Sequence, residues 1–122
     1  MKLYVDDIRP APEGWQQART ATDAIRFIHQ FCDQIDEISL DHDISYAVEV
    51  AGTIRPFPSP ENFSAVARFI YVIYSMAGVD SLPKIIIHTA NPVGAKELDA
   101  ILSGFTVSIE PASRVNRLES EV

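Results

Sequence analysis

The chain has 122 residues, of which 47% are hydrophobic, so it is long enough for one domain with a substantial core and too short for two. Its net charge of −7 argues against a broad nucleic-acid-binding surface, which requires a basic field, but leaves a nucleotide or a strand end open as a ligand. Charged residues come too early for a signal peptide and no apolar run approaches the length of a membrane span, so we expect a cytoplasmic protein that does not contact membranes.

The first predicted strand, Lys2 to Val5, runs directly into Asp6 and Asp7. The segment from Ile8 to Trp15 contains prolines that exclude a regular helix, so it is predicted to be a structured loop. Gln16 to Arg19 is a weak polar strand that fits only the edge of a sheet.

A helix is predicted next, because Thr20 and Asp23 have the spacing of a capping box and apolar residues then recur at helical intervals up to about Ile35.

The composition along the chain also predicts the domain boundaries. Residues 1–111 are predicted to form one domain and residues 112–122 a flexible, mostly polar tail.

The central strand is the apolar run from Ile38 to Leu40, which ends in Asp41, His42 and Asp43. A strand of a parallel sheet is covered on both faces and therefore reads apolar throughout. Functional residues gather where such a strand emerges at its carboxyl end. The sequence therefore predicts the centre of a site at this position.

The long connection from Ile44 to Pro60 is rich in proline, and a structureless segment of this length typically forms a lid or a mobile loop. Ser59 and Pro60 then have the pattern of a helix start, and Gly78 is the expected left-handed residue after Ala77.

This second helix is apolar on two sides. Phe69, Val72 and Met76 lie away from the face expected to meet the sheet, so either the 44–60 connection covers them or a second copy of the chain does. Homodimerisation is the hypothesis, and a monomer covered by the connection is the alternative.

The third apolar run, Lys84 to Ile87, ends in His88 and Thr89. Asn91 then has the position of a helix cap before Pro92. Gly104 is expected to end that helix, and a last strand is predicted from Phe105 to Ile109.

Alternating strands and helices predict a three-layer α/β fold with a parallel sheet and right-handed crossovers. With the first strand at the centre, the strand order is 2-1-3-4-5. In this order the ends of strands one, three and four lie side by side. Their polar clusters are therefore expected to share one site at the topological switch point of the sheet.

Carboxylates dominate that site. Four acids brought together would repel one another, and a hard divalent ion such as Mg²⁺ (or Mn²⁺) is the simplest remedy. The expected metal ligands are Asp6, Asp7, Asp41 and Asp43. The alternative for any one of them is a cap or turn residue.

The remaining polar residues allow two interpretations each. His42 and His88 could act as general acid or base, could favour a transition metal, or could be structural. Arg9 could clamp a phosphate or only neutralise carboxylates. Thr89, Asn91 and the first helical turn with Gly94 could bind an anion, or could serve only as strand end and helix cap.

The pattern of Asp6 and Asp7 after strand one, Asp41 after strand three and Thr89 after strand four resembles the response-regulator receiver domain. That resemblance implies a magnesium-binding acidic pair and a phosphoryl-accepting Asp. The chain departs from the pattern in three places: a proline loop replaces the first helix, Glu110 stands where receivers have a lysine, and the final helix is missing. These departures disfavour phosphorelay signalling.

A closer resemblance covers nearly the whole chain. In order, it carries Asp-Asp-x-Arg at residues 6–9, Leu-Asp-His-Asp at 40–43 and His-Thr-Ala-Asn-Pro at 88–92. This set resembles the cyclic-phosphate processing receiver-like family. The resemblance implies a shortened receiver core that handles cyclic or terminal phosphates.

The sequence therefore leads us to expect a receiver-like domain lacking the first and last receiver helices, with a metal site directed at a cyclic or terminal phosphate of a nucleotide or RNA end. Asp41, His42 and His88 are the candidate catalytic residues, and Arg9, Thr89, Asn91 and Gly94 the candidate phosphate-binding residues. The alternative is a non-enzymatic receiver module that binds a phosphorylated ligand or protein.

Overall fold

The computed structural model describes residues 1–78 and 81–110, with the backbone alone for 44–50 and 54–61. The tail predicted at 112–122 lies outside these residues. The elements are β1 Lys2–Val5, β2 Gln16–Ala18, α1 Ala21–Phe31, β3 Glu37–Leu40, β4 Asp43–Val50, β5 Thr53–Asn62, α2 Ser64–Met76, β6 Lys84–Ile87, α3 Pro92–Ile101 and β7 Val107–Ile109.

Five of these strands form one parallel sheet in the order β2-β1-β3-β6-β7. Counted along the sheet-forming strands alone, this is the predicted order 2-1-3-4-5. The receiver-like fold is confirmed, and β1, β3 and β6 are neighbours whose carboxyl ends lie on the same edge of the sheet.

The three helices cover one face of this sheet. The crossovers β2 to β3, β3 to β6 and β6 to β7 all step in the same direction, so right-handed connections put every helix on the same side. Accordingly α1 contacts α2, and α2 contacts α3. Their buried residues share one core with two rows of the sheet, Leu3–Ile38–Ile85 and Val5–Leu40–Ile87.

The opposite face carries the register row of Tyr4, Ser39 and Ile86. The proline loop returns Trp15 to this face, where its ring meets the Tyr4 ring edge-on at 6.2 Å between centroids. The Lys2 ammonium lies 5.6 Å from the centre of the same indole. Within residues 1–78 and 81–110 no helix covers this face, so the expected third layer has no helical counterpart there.

The connection after the central strand is a β-hairpin, and the prediction of a structureless lid was wrong. β4 and β5 pair antiparallel from Asp43↔Asn62 to Val50↔Thr53. Ala51 and Gly52 both have positive φ, as a two-residue hairpin turn requires. The prolines of β5 misled the prediction, but proline is tolerated where a strand lies at an edge, as both strands of a two-stranded sheet do.

The hairpin also moves the start of the second helix. The chain stays extended through Asn62, so α2 begins at Ser64, and the predicted start at Ser59 and Pro60 was wrong. Gly78 has a φ of 67°, as expected of the left-handed residue after the helix. Phe69 packs partly buried against the core, whereas Val72 is 51% and Met76 78% exposed. Dimerisation through this surface stays a prediction.

The predicted caps of the other two helices, Thr20 and Asn91, are confirmed. The Thr20 hydroxyl accepts the amide of Asp23 at 3.0 Å, although α1 ends at Phe31, before the expected Ile35. The Asn91 side chain accepts the amides of Val93 and Gly94 at 3.1 Å each. In the part of the chain that the structure describes, no helix is both long enough and apolar enough to cross a membrane.

Candidate functional site

The site lies where β1, β3 and β6 end, because the backbone ladder continues one residue beyond these strands. The amide of Asp41 donates to the carbonyl of Val5, and the amide of His88 donates to the carbonyl of Leu40, both at 2.9 Å. Asp6, Asp41 and His88 therefore stand side by side. Ligand atoms of Asp6, Asp7 and Asp41 lie within 4.8 Å of one another, which is close enough to hold one cation.

Asp6 is fully buried and has four hydrogen-bond donors around it. Its Oδ1 accepts the amides of Ile8 and Arg9 at 2.8 Å each, and its Oδ2 accepts Nη1 of Arg9 and Nε2 of His88 at 2.9 Å each. Burial alone would raise the pKa of Asp6, but the bonds from His88 and Arg9 outweigh it and lower the pKa below its ordinary value. Asp6 is therefore held as a carboxylate.

Asp41 is almost as buried but has fewer partners. Its Oδ1 accepts the amide of His42 at 2.7 Å, and its Oδ2 lies 3.4 Å from Nη1 of Arg9. Burial and the charge of Asp6 raise the pKa of Asp41 to about 6, although the His42 amide and Arg9 oppose the shift. Of the two carboxylates, Asp41 is therefore the one whose charged form is destabilised by its surroundings.

Arg9 bridges these two carboxylates through the single nitrogen Nη1. Burial would lower the pKa of Arg9, but the bond to Asp6 and the charges of Asp6 and Asp41 raise it, so the guanidinium stays charged. Its other two nitrogens, Nε and Nη2, are buried and have no hydrogen-bond partner among the described residues. These two nitrogens form one edge of the planar guanidinium. Such an edge can bind an oxyanion through two parallel hydrogen bonds.

His88 is held at both ring nitrogens and on one face of its ring. Its Nε2 lies 2.9 Å from Asp6 and its Nδ1 lies 2.6 Å from the Ser39 hydroxyl. A carboxylate only accepts, so in the neutral ring Nε2 carries the hydrogen and Nδ1 accepts from Ser39. The ring also stacks on Tyr4 with 4.5 Å between centroids and 8° between planes. Sequence reasoning missed Ser39 and Tyr4; a serine within an apolar strand was the available signal for the first.

Tyr4 is half-buried and lies against this group. Burial and the nearby charge of Asp6 raise the pKa of Tyr4 to about 12, so its phenol stays protonated at any physiological pH. The ring therefore supports His88 as a neutral, apolar surface.

His42 lies between two other carboxylates. Its Nδ1 is 2.8 Å from Asp43 and its Nε2 is 2.6 Å from Glu97. Because both partners only accept, the two contacts are both hydrogen bonds only when each ring nitrogen carries a hydrogen, so the arrangement favours the imidazolium. Burial would lower the pKa of His42, but the bonds to Asp43 and Glu97 raise it. Neither nitrogen is left to exchange a proton with a ligand, and Glu97 is a residue that sequence reasoning missed.

Asp43 was grouped with the metal ligands by sequence, and the structure places it elsewhere. In the region that the structure describes, it lies outside the cluster of Asp6, Asp7 and Asp41. Its Oδ1 instead meets Nδ1 of His42 and accepts Nδ2 of Asn91 at 3.2 Å.

The candidate phosphate-binding residues of α3 are occupied by local contacts. Asn91 already accepts the amides of Val93 and Gly94, and its own amide donates to the Thr89 hydroxyl at 3.2 Å. Gly94 permits a close approach to His42: a Cβ there would lie 2.5 Å from Nδ1 and 2.9 Å from the Cβ of His42. Capping and packing account for these residues without an anion.

A family model described as the cyclic-phosphate processing receiver domain matches residues 1–104. The chain belongs to this family. The match contains every residue of the site described above, and membership in this family links the domain to the processing of cyclic phosphates. No curated protein and no solved structure matched the chain.

Proposed function

We propose that this cyclic-phosphate processing receiver domain is a divalent-metal-dependent phosphoesterase that acts on a cyclic or terminal phosphate of a nucleotide or RNA end. The observation that carries the proposal is the unpaired edge of Arg9, buried beside a carboxylate cluster at the ends of parallel strands. Ligands of α/β proteins with open parallel sheets bind at this location.

The unpaired edge of Arg9 favours an oxyanion as the ligand. A buried donor without a partner costs about 1–3 kcal/mol, and among the described residues Arg9 has two such donors, Nε and Nη2, on one side of its guanidinium. A phosphate with two oxygens facing that edge would recover this free energy with paired, charge-assisted bonds. Both nitrogens are shielded from solvent, so the ligand must displace a neighbouring group to reach them.

The carboxylates explain why a cation belongs beside the phosphate. Asp6 and Asp41 share the one guanidinium of Arg9, so this group carries a net negative charge that would by itself repel a phosphate. Carboxylate oxygens are the ligands that Mg²⁺ or Mn²⁺ prefers. Asp6, Asp7 and Asp41 would hold the ion, and Asp6 would first give up one of its present donors. A bound ion supplies charge neutralisation at the phosphate and acidifies a bound water.

The two histidines have different roles in this proposal. His88 touches a member of the carboxylate cluster, Asp6, and its second nitrogen continues to the Ser39 hydroxyl. It is therefore the histidine that we assign to proton movement at the site. His42 has both nitrogens committed to carboxylates outside the cluster, and we assign it no proton transfer.

The test is turnover of a nucleoside 2′,3′-cyclic phosphate, and of a short RNA with a terminal phosphate, in Mg²⁺ or Mn²⁺. Arg9→Lys keeps the charge but removes the two-pronged edge, so we expect at least a tenfold loss of kcat/KM, equivalent to about 1.4 kcal/mol. Arg26→Lys is the matched control, because Arg26 is exposed on α1 and outside the site. Equal losses in both variants, or wild-type rates unaffected by chelation of the metal, would refute the proposal.

The second candidate function is a non-enzymatic module that binds a phosphorylated ligand. It is favoured by the complete pairing of Asp6 and by the engagement of both nitrogens of each site histidine. Calorimetric binding of the cyclic phosphate without product formation would support this candidate over the enzyme.

A further inference from the structure

We infer that Glu97 is a positioning residue for Asp41 and acts on it through His42. The inference rests on the proposed function, since Asp41 is assigned there to the cation. Glu97 lies on α3 and reaches the end of β3 through a single contact, the 2.6 Å bond to Nε2 of His42. No sequence pattern connects these two positions, which are 55 residues apart.

The His42 ring cannot rotate freely. Asp43 holds Nδ1 at 2.8 Å and Glu97 holds Nε2 at 2.6 Å, on opposite sides of the ring. Gly94 presses against the ring from α3 so closely that no side chain fits between them. Glu97 thus fixes one of the two ends of the ring.

The backbone of His42 holds the carboxylate of Asp41. The amide of His42 donates to Oδ1 of Asp41 at 2.7 Å, and the carbonyl of His42 accepts the amide of Phe63 at 2.8 Å. Phe63 is fully buried in the core, so the carbonyl side of the His42 backbone is anchored while the amide side carries the bond to Asp41. A change in the ring that turns this amide would therefore reorient Asp41 relative to Arg9.

Glu97 supplies a connection of its own between α3 and the residues that follow β3. Asn91, the N-cap of α3, already donates to Asp43 at the start of β4. Glu97 adds a second attachment further along the same helix, to His42. Because α3 is itself packed in the core through Ala95 and Leu98, the bond from Glu97 ties the His42 ring to a fixed helix.

The experiment measures Mn²⁺ binding by titration calorimetry in Glu97→Ala, Glu97→Gln and the control Asp99→Asn, an exposed acid of the same helix. Groups that orient metal ligands typically contribute 10- to 100-fold to affinity, so we expect about a tenfold loss in Glu97→Ala. Glu97→Gln should regain most of it, because its amide oxygen still accepts from Nε2. Asp99→Asn should bind as the wild type does.

A double-mutant cycle tests the route through His42. In a His42→Asn background, Glu97→Ala should have little further effect on the Mn²⁺ affinity, because the partner of Glu97 is already gone. An undiminished tenfold loss in that background would overturn the inference, and so would a Glu97→Ala affinity equal to that of Asp99→Asn.

A second readout separates this inference from the proposed function. The ¹³C chemical shift of the Asp41 carboxyl, recorded without metal, should change in Glu97→Ala and stay unchanged in Asp99→Asn. If the wild type binds no Mn²⁺, the proposed function fails and this shift alone decides the positioning role: a change supports it, and an unchanged shift overturns it.

Discussion

Asp6 and Asp41 end neighbouring parallel strands and are 0% and 6% exposed, yet their environments shift the two pKa values in opposite directions. At the end of β1, the loop turns back so that two amides, a guanidinium and an imidazole surround one carboxylate. At the end of β3, the chain leaves for the hairpin, and Asp41 receives one amide and a longer contact to Arg9.

The difference shows how one site divides two tasks between similar residues. Asp6 organises the loop, Arg9 and His88. Its hydrogen bonds already stabilise its charge in the folded protein. Asp41 is left with unused lone pairs and an unfavourable charge, which is the state in which a carboxylate gains most from a cation. Each prediction below tests this contrast.

The largest expected effect is the loss of Asp6. Asp6→Asn would turn an amide NH₂ or a weakened acceptor toward Arg9 and His88, and breaking a buried ion pair from one side costs about 3–5 kcal/mol. We expect the free energy of unfolding, measured in urea without metal, to fall by this amount. A variant as stable as the wild type would show that Asp6 does not organise the site.

The opposite sign is expected for Asp41. Its pKa rises from 3.8 to about 6 on folding, so ionised Asp41 destabilises the metal-free protein by about 3 kcal/mol once the pH exceeds the folded value. Asp41→Asn should therefore be more stable than the wild type by roughly 2–3 kcal/mol at about pH 8.

The pH dependence provides the control for that prediction. As the pH falls through the folded pKa toward the unfolded one, Asp41 becomes protonated in the native state, and its penalty disappears. The stability advantage of Asp41→Asn should therefore shrink to nearly zero by about pH 3.5. If the stability advantage of Asp41→Asn stayed constant with pH, the charge of Asp41 would not be the cause of the destabilisation.

Cation binding should produce a smaller change. Mg²⁺ or Mn²⁺ at about ten times its Kd stabilises a protein by about 1.4 kcal/mol, and the wild type should show this as a higher Tm. Asp41→Asn should bind the ion at least tenfold more weakly and lose the shift. Equal Tm shifts in both proteins would show that Asp41 is not a ligand of the ion.

The smallest expected effect is no effect at all. A small phosphodonor should leave no stable phosphoryl group on Asp41, because Glu110 stands where a receiver has its phosphoryl-binding lysine, and its amide donates to Ile87 beside the site. Intact-protein mass spectrometry with Asp41→Asn as the blank would check this. A stoichiometric adduct on the wild type alone would contradict it.

The sequence by itself determined the features that depend on local patterns. Apolar runs ending in acids marked the ends of β1 and β3, and the caps at Thr20 and Asn91 were predicted because a cap satisfies amides only two or three residues away. The parallel sheet followed from the alternation of strands and helices, and its order followed once the first strand was placed at the centre. The prediction for the hairpin segment failed because it relied on local patterns too. Its prolines are a local signal for a loop, whereas its strand pairing joins two separate segments.

Only the tertiary structure decided the chemistry at the site. One partner of His88, Asp6, is 82 residues away, and one partner of His42, Glu97, is 55 residues away. Whether the charged form of a carboxylate is stabilised or destabilised depends on the donors that reach it and on the water that folding removes. Neither can be predicted from neighbouring residues in the sequence. For that reason two aspartates that look equivalent in the sequence, Asp6 and Asp41, have opposite pKa shifts in the fold.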